Sequence, residues 1–143
     1  MKESQLTELI DGALEVADEA SNKVLEIYHS EEHKIENKKD GSPVTKADLA
    51  SHQIITRGLA KLRHKIPILS EEGDVQNASD EDLFWLIDPL DGTKEFINRN
   101  GEFTVNIALI KDSSPILGIV FSPAVEENFF GAKNLGAFKV KGA

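Results

Sequence analysis

One change of hydrophobic rhythm divides this chain. Up to Pro67 apolar residues recur at helical spacing, and beyond it they fall in short β-prone runs. Residues 5–28 place Leu6, Leu9, Ile10, Ala13, Leu14, Ala17, Val24, Ile27 and Tyr28 on one side, which predicts a long amphipathic helix with its acids facing water. A second helix is predicted from Thr45. Thr45 and Asp48 are spaced as a capping box, and Leu49, His52, Ile55, Leu59 and Leu62 form one face. Its end is cationic (Lys61, Arg63, His64, Lys65), as suits the negative pole of a helix. Between the helices a short strand is expected at His33–Asn37. Lys38 to Pro43 reads as a solvated turn.

After Pro67 the strand candidates are Ile68-Leu69, Leu83–Ile87, Phe103–Ile110, Ile116–Phe121, Glu127–Ala132 and Ala137–Val140. Lys111-Asp112-Ser113-Ser114-Pro115 is a turn between two of them, and Phe84 and Trp85 are expected in the core. Two helices followed by hairpin-linked strands predict an α+β fold, with two long helices packed on a mainly antiparallel sheet. No repeat or linker interrupts the sequence, so residues 1–143 read as one domain.

Composition narrows the function. There is no cysteine, which excludes a disulfide framework, a thiolate nucleophile and Cys-ligated zinc. The formal charge of −9 repels phosphate backbones, so nucleic acid is not an expected partner. A small anionic substrate is compatible with that charge if metal ions reverse it locally. No apolar run approaches the ~20 residues of a membrane span. The first residues open straight into an acidic amphipathic stretch without a signal peptide, so a cytoplasmic protein is expected.

The strongest local signal is Asp88-Pro89-Leu90-Asp91-Gly92-Thr93, where an apolar strand ends in two acids. Carboxylates this close raise each other's pKa unless a cation lies between them, and an all-oxygen donor set suits Mg²⁺ or Mn²⁺. The same residues also read as an ordinary turn with Gly92 at positive φ. Ser70-Glu71-Glu72-Gly73 is a second acidic element and Asp48 a third. By itself Asp48 reads as a capping residue and Glu71-Glu72 as a solvated turn. His29, His33, His52 and His64 show no metal-ligand spacing and are read as surface or helix-face residues.

Taken together, D-P-L-D-G-T at 88–93, the acidic pair Glu71-Glu72 and S-P-V-T-K-A-D at 42–48 resemble the inositol monophosphatase superfamily of metal-dependent phosphatases. The run from Trp85 to Ile110, with Lys94-Glu95-Phe96 after D-G-T, and the Pro115–Val120 strand are most similar to its 3′(2′),5′-bisphosphate nucleotidases of the CysQ type. The resemblance implies removal of the 3′-phosphate of adenosine 3′,5′-bisphosphate, a small phosphorylated nucleotide, with two or three Mg²⁺ ions. Glu71, Asp88 and the Leu90 carbonyl would hold the first ion, Asp88 and Asp91 the second, and Glu71 would touch a third. Thr93, hydrogen-bonded to Asp48, would activate water. Glu71 and the stretch Leu90, Asp91, Gly92 and Thr93 would meet the substrate phosphate.

The family also carries a C-terminal α/β domain with a W-D-x-x-[AG]-G motif. Here the single tryptophan, Trp85, is followed by Leu86. The chain therefore reads as the family's N-terminal metal-binding domain. As an isolated chain it is expected to be catalytically incomplete and to self-associate through the face the second domain would cover. A non-catalytic metal-binding half-domain and an inositol monophosphatase-type activity are the alternatives.

Overall fold

The computed structural model describes residues 1–30, 43–70, 73–74 and 82–141. The strand expected at His33–Asn37 and the turn at 38–42 lie outside the described residues. Helix α1 runs Glu3–Ser30, two residues beyond the predicted span at each end. Leu6, Leu9, Ile10, Ala13, Val16, Ala17, Ala20, Val24 and Tyr28 are its buried face. Helix α2 is Pro43–Ala60. Proline suits a first helical position, where its missing N–H would have had no intrahelical acceptor, so the helix begins two residues before Thr45. Thr45 consequently sits in the first turn, not ahead of it.

The buried line of α2 is Ala47, Ser51, Ile55 and Leu59, a strict four-residue repeat. Leu49, expected on this face, is 49% exposed. At the far end Lys65 Nζ donates to the Ala60 carbonyl at 2.8 Å, so the cationic tail does satisfy a helix terminus. The helices approach closely enough that a Cβ at Gly58 would lie 2.6 Å from Val16 Cγ2.

Among the described residues the sheet has seven strands: β1 (Ile68–Ser70), β2 (Gly73–Asp74), β3 (Leu83–Asp91), β4 (Thr104–Lys111), β5 (Ser114–Ser122), β6 (Glu127–Ala132) and β7 (Gly136–Lys141). A short helix, α3 (Thr93–Ile97), separates β3 from β4. The spatial order is β2-β1-β3-β4-β5-β6-β7. Of these strands β1 and β3 pair in parallel, and the other neighbouring pairs among the described residues are antiparallel. The β4–β5 hairpin turns through Asp112 (φ 48°) and Ser113 (φ 68°), the positive-φ pair that matches strand twist. The fold is thus α+β, helices on a mainly antiparallel sheet, as the sequence predicts.

Period-two alternation decides which sheet face the helices cover. Trp85, Ile87, Ile107, Leu109, Leu117 and Ile119 alternate toward α1 and α2, each at most 2% exposed. Their neighbours Leu86, Val120 and Phe129 point the other way and are 38%, 42% and 44% exposed. Phe84 also belongs to this second face and is half-buried, so of the predicted pair only Trp85 is a core residue. Among the described residues no helix is long and apolar enough to cross a membrane.

Candidate functional site

The two acids of the 88–91 run meet through a flaw in the ladder. Asp88 pairs with Asn106 and Asp91 with Thr104, so β3 spends three residue steps where β4 spends two. That is a β-bulge, and Pro89 accounts for it because proline has no N–H to give the ladder. Residues three apart on an unbroken strand face opposite sides. Here the partners Asn106 and Thr104 are two apart on β4, which turns Asp88 and Asp91 to the same face. Asn106 Nδ2 donates to Asp91 Oδ2 at 3.5 Å, along this face. The strand therefore continues through Asp91, where the sequence pattern ended it at Ile87.

Helix α2 supports this segment from below. Asp48, Ser51 and His52 stand at i, i+3 and i+4, one side of the helix. Ser51 Oγ donates to the Pro89 carbonyl in a buried 2.7 Å hydrogen bond. His52 Nδ1 and Ser70 Oγ are 3.0 Å apart and hydrogen-bonded. Asp48 is half-buried, with its Oδ1 shielded from solvent. Among the described residues no hydrogen bond joins Thr93 to Asp48.

Gly92 takes φ 87° and ψ 47° and starts α3. A Cβ there would lie 3.2 Å from the Glu102 carbonyl oxygen and 3.2 Å from Phe103 Cα, both backbone atoms. Glycine is thus required by the positive-φ turn, one of the two readings of this run, and by the close approach of the returning chain, which the sequence did not reveal. Leu90 is buried and Thr93 exposed. α3 is anchored by Phe96, whose ring packs on Tyr28 and Phe103 at centroid distances of 5.2 and 5.0 Å. Arg99 seals the anchor. Its Nη2 donates to the Tyr28 carbonyl at 2.8 Å and its guanidinium lies 4.1 Å over the Tyr28 ring.

Asp88 and Asn106 line a groove of about 220 Å³ that runs along the uncovered sheet face past Leu86, Ala108, Gly118 and Val120. The donors at its mouth are carboxylate and amide oxygens, with no sulfur, so the chemistry fits a hard divalent cation. Among the described residues no three acidic or histidine side chains gather into a metal cluster. Glu71 and Glu72, the predicted remaining acids, lie outside the described residues. The β1–β3 register pairs Ser70, the residue before Glu71, with Ile87, the residue before Asp88. Sequence reasoning missed Ser51, His52 and Asn106. The 47-51-55-59 repeat could have flagged Ser51 as a polar residue on a buried line.

The chain belongs to the inositol monophosphatase family, whose model matches residues 5–142. Within that family it is similar to the 3′(2′),5′-bisphosphate nucleotidase CysQ of Salmonella typhimurium, 41% identical over 128 residues, 87% of this chain and 52% of the relative. The CysQ of Escherichia coli K12 is 42% identical over the same shares. Among solved structures, CysQ from Bacteroides thetaiotaomicron superposes with a TM-score of 0.81 at 42% identity, covering 92% of this chain and 48% of that one. Inositol monophosphatase from Anabaena superposes at 0.79 with 29% identity, over 94% and 48%. The chain spans about half the length of the curated relatives it matches.

Proposed function

We propose that residues 1–143 are the N-terminal metal-binding domain of a cytoplasmic, Mg²⁺-dependent phosphatase that removes the 3′-phosphate of adenosine 3′,5′-bisphosphate. The observation that carries this reading is the bulge at Pro89, which turns Asp88 and Asp91 to one face, where Asp88 lines a groove. The CysQ relatives, at 41% and 42% identity, support the nucleotide over inositol phosphates, for which the solved inositol monophosphatase from Anabaena stands at 29%. Glu71, Asp88, Asp91 and the Leu90 carbonyl are the proposed ligands for two or three Mg²⁺ ions, with Mn²⁺ as a substitute. Such ions would supply an activated water and charge neutralisation at the departing oxygen.

The protein's own groups have separate tasks. Asp48 would accept a hydrogen bond from the Thr93 hydroxyl, one that forms only when substrate is bound, so that the hydroxyl oxygen accepts a hydrogen bond from water. Glu71 and the backbone from Leu90 through Gly92 to Thr93 receive the phosphate. The buried Ser51–Pro89 bond holds that backbone still. The test is Mg²⁺-dependent phosphate release from adenosine 3′,5′-bisphosphate, by this chain and by a longer form carrying a second domain. Asp88→Asn abolishes release, and undiminished turnover in that variant overturns the assignment.

A second reading is favoured by the roughly half-length coverage: these residues alone bind a divalent cation without turnover. Calorimetric titration with Mn²⁺ then gives binding while phosphate release stays at background. In either case the exposed Leu86, Val120 and Phe129 favour self-association of the isolated chain.

A further inference from the structure

Two consecutive residues of α2 grip two different strands. Ser51 Oγ holds the Pro89 carbonyl, inside the bulge between the two acids of β3. His52 Nδ1 holds Ser70 Oγ, on the last residue of β1. Ser51 and Ser70 are both buried, at 0% and 7% exposure, so water does not compete effectively for these bonds. β1 needs such a tie, since it is only three residues long, pairs in parallel with β3 over Ile68–Ser70, and has on its other side only the two-residue β2. A pairing this short supplies few ladder bonds, and its end would fray without further support.

We propose that Ser51 and His52 are positioning residues that form a two-pronged brace, fixing the end of β1 against the acid-bearing bulge of β3. Neither residue touches the reacting atoms. The brace sets how far the β1 terminus stands from Asp88 and Asp91, and through that distance the affinity of the acid face for a divalent cation. The metal part of this inference rests on the proposed role of Asp88 and Asp91. The mechanical part rests on the two hydrogen bonds alone.

The experiment uses the 143-residue chain and two readouts. Mn²⁺ binding, followed by electron paramagnetic resonance, weakens about 10-fold or more in His52→Phe, the range for loss of an outer partner of a metal site. His52→Asn keeps a polar atom near the Nδ1 position and recovers most of that affinity, which a purely space-filling role would not produce. Amide hydrogen exchange supplies the metal-free readout. Ser51→Ala and His52→Phe accelerate exchange at Ser70 and Ile87, while the β5–β6 ladder stays as slow as in the parent. If wild type binds no Mn²⁺, the metal reading fails and exchange alone still judges the brace. Unchanged exchange at Ser70 and Ile87 in both variants overturns the brace, as does Mn²⁺ affinity equal to wild type in His52→Phe. Should His52→Phe fail to fold, Ser51→Ala and His52→Asn decide by the same exchange criterion.

Discussion

The two faces of the sheet use the same strands for opposite purposes. On the helix side Trp85, Ile87, Ile107, Leu109, Leu117 and Ile119 are sealed, and the face contributes cohesion. On the other side Leu86, Val120 and Phe129 stay in water, while Asp88 and Asn106 edge a groove. The covered face therefore supplies cohesion and the open one carries the groove, with the bulge at Pro89 bringing Asp88 and Asp91 to that same open face. Burying a side chain of this size is worth about 1.5–3 kcal/mol, so the covered face accounts for a stable frame without help from the open one.

Three substitutions sharpen or break that contrast. The largest effect is expected from Trp85→Ala on the covered face, a loss of about 3–5 kcal/mol from the cavity left behind. Urea unfolding measures it, and a loss below about 1 kcal/mol would mean the covered face is not the main source of cohesion. Gly92→Ala comes next. Left-handed backbone costs an L-residue about 1–2 kcal/mol, and the close approach to Glu102 and Phe103 adds to it. Thermal denaturation reads that shift, and an unchanged midpoint would deny the turn its strain. The smallest stability effect belongs to Val120→Thr on the open face, within about 0.5 kcal/mol. The same variant lowers self-association in sedimentation velocity, and association equal to wild type would detach the open face from that behaviour.

Most of the frame could be read from periodicity, because burial on one side writes itself into spacing. The strands Glu127–Ala132 and Ile116–Phe121 appear within two residues of their predicted bounds, since alternation is unambiguous there. Leu49 misled because helical periodicity fixes a stripe only to within one residue, and the small residues Ala47 and Ser51 carried the true line. The acid pair was legible as chemistry but not as geometry. Asp88 and Asp91 stand at a spacing that an unbroken strand would send to opposite faces, and only the pairing register reveals the extra residue. His52 was unreadable for a related reason. Its partner Ser70 is 18 positions away, and hydrogen bonds across that separation leave no periodic trace.

The parallel union of β1 with β3 has one more implication. Main-chain bonds such as Trp85 N–H to the Pro67 carbonyl, at 2.8 Å, hold these strands together whatever charge follows them. Their union then depends on backbone geometry and not on which side chains the segments after them carry. A scaffold of this kind can be rewritten at its mouth without being rebuilt at its base.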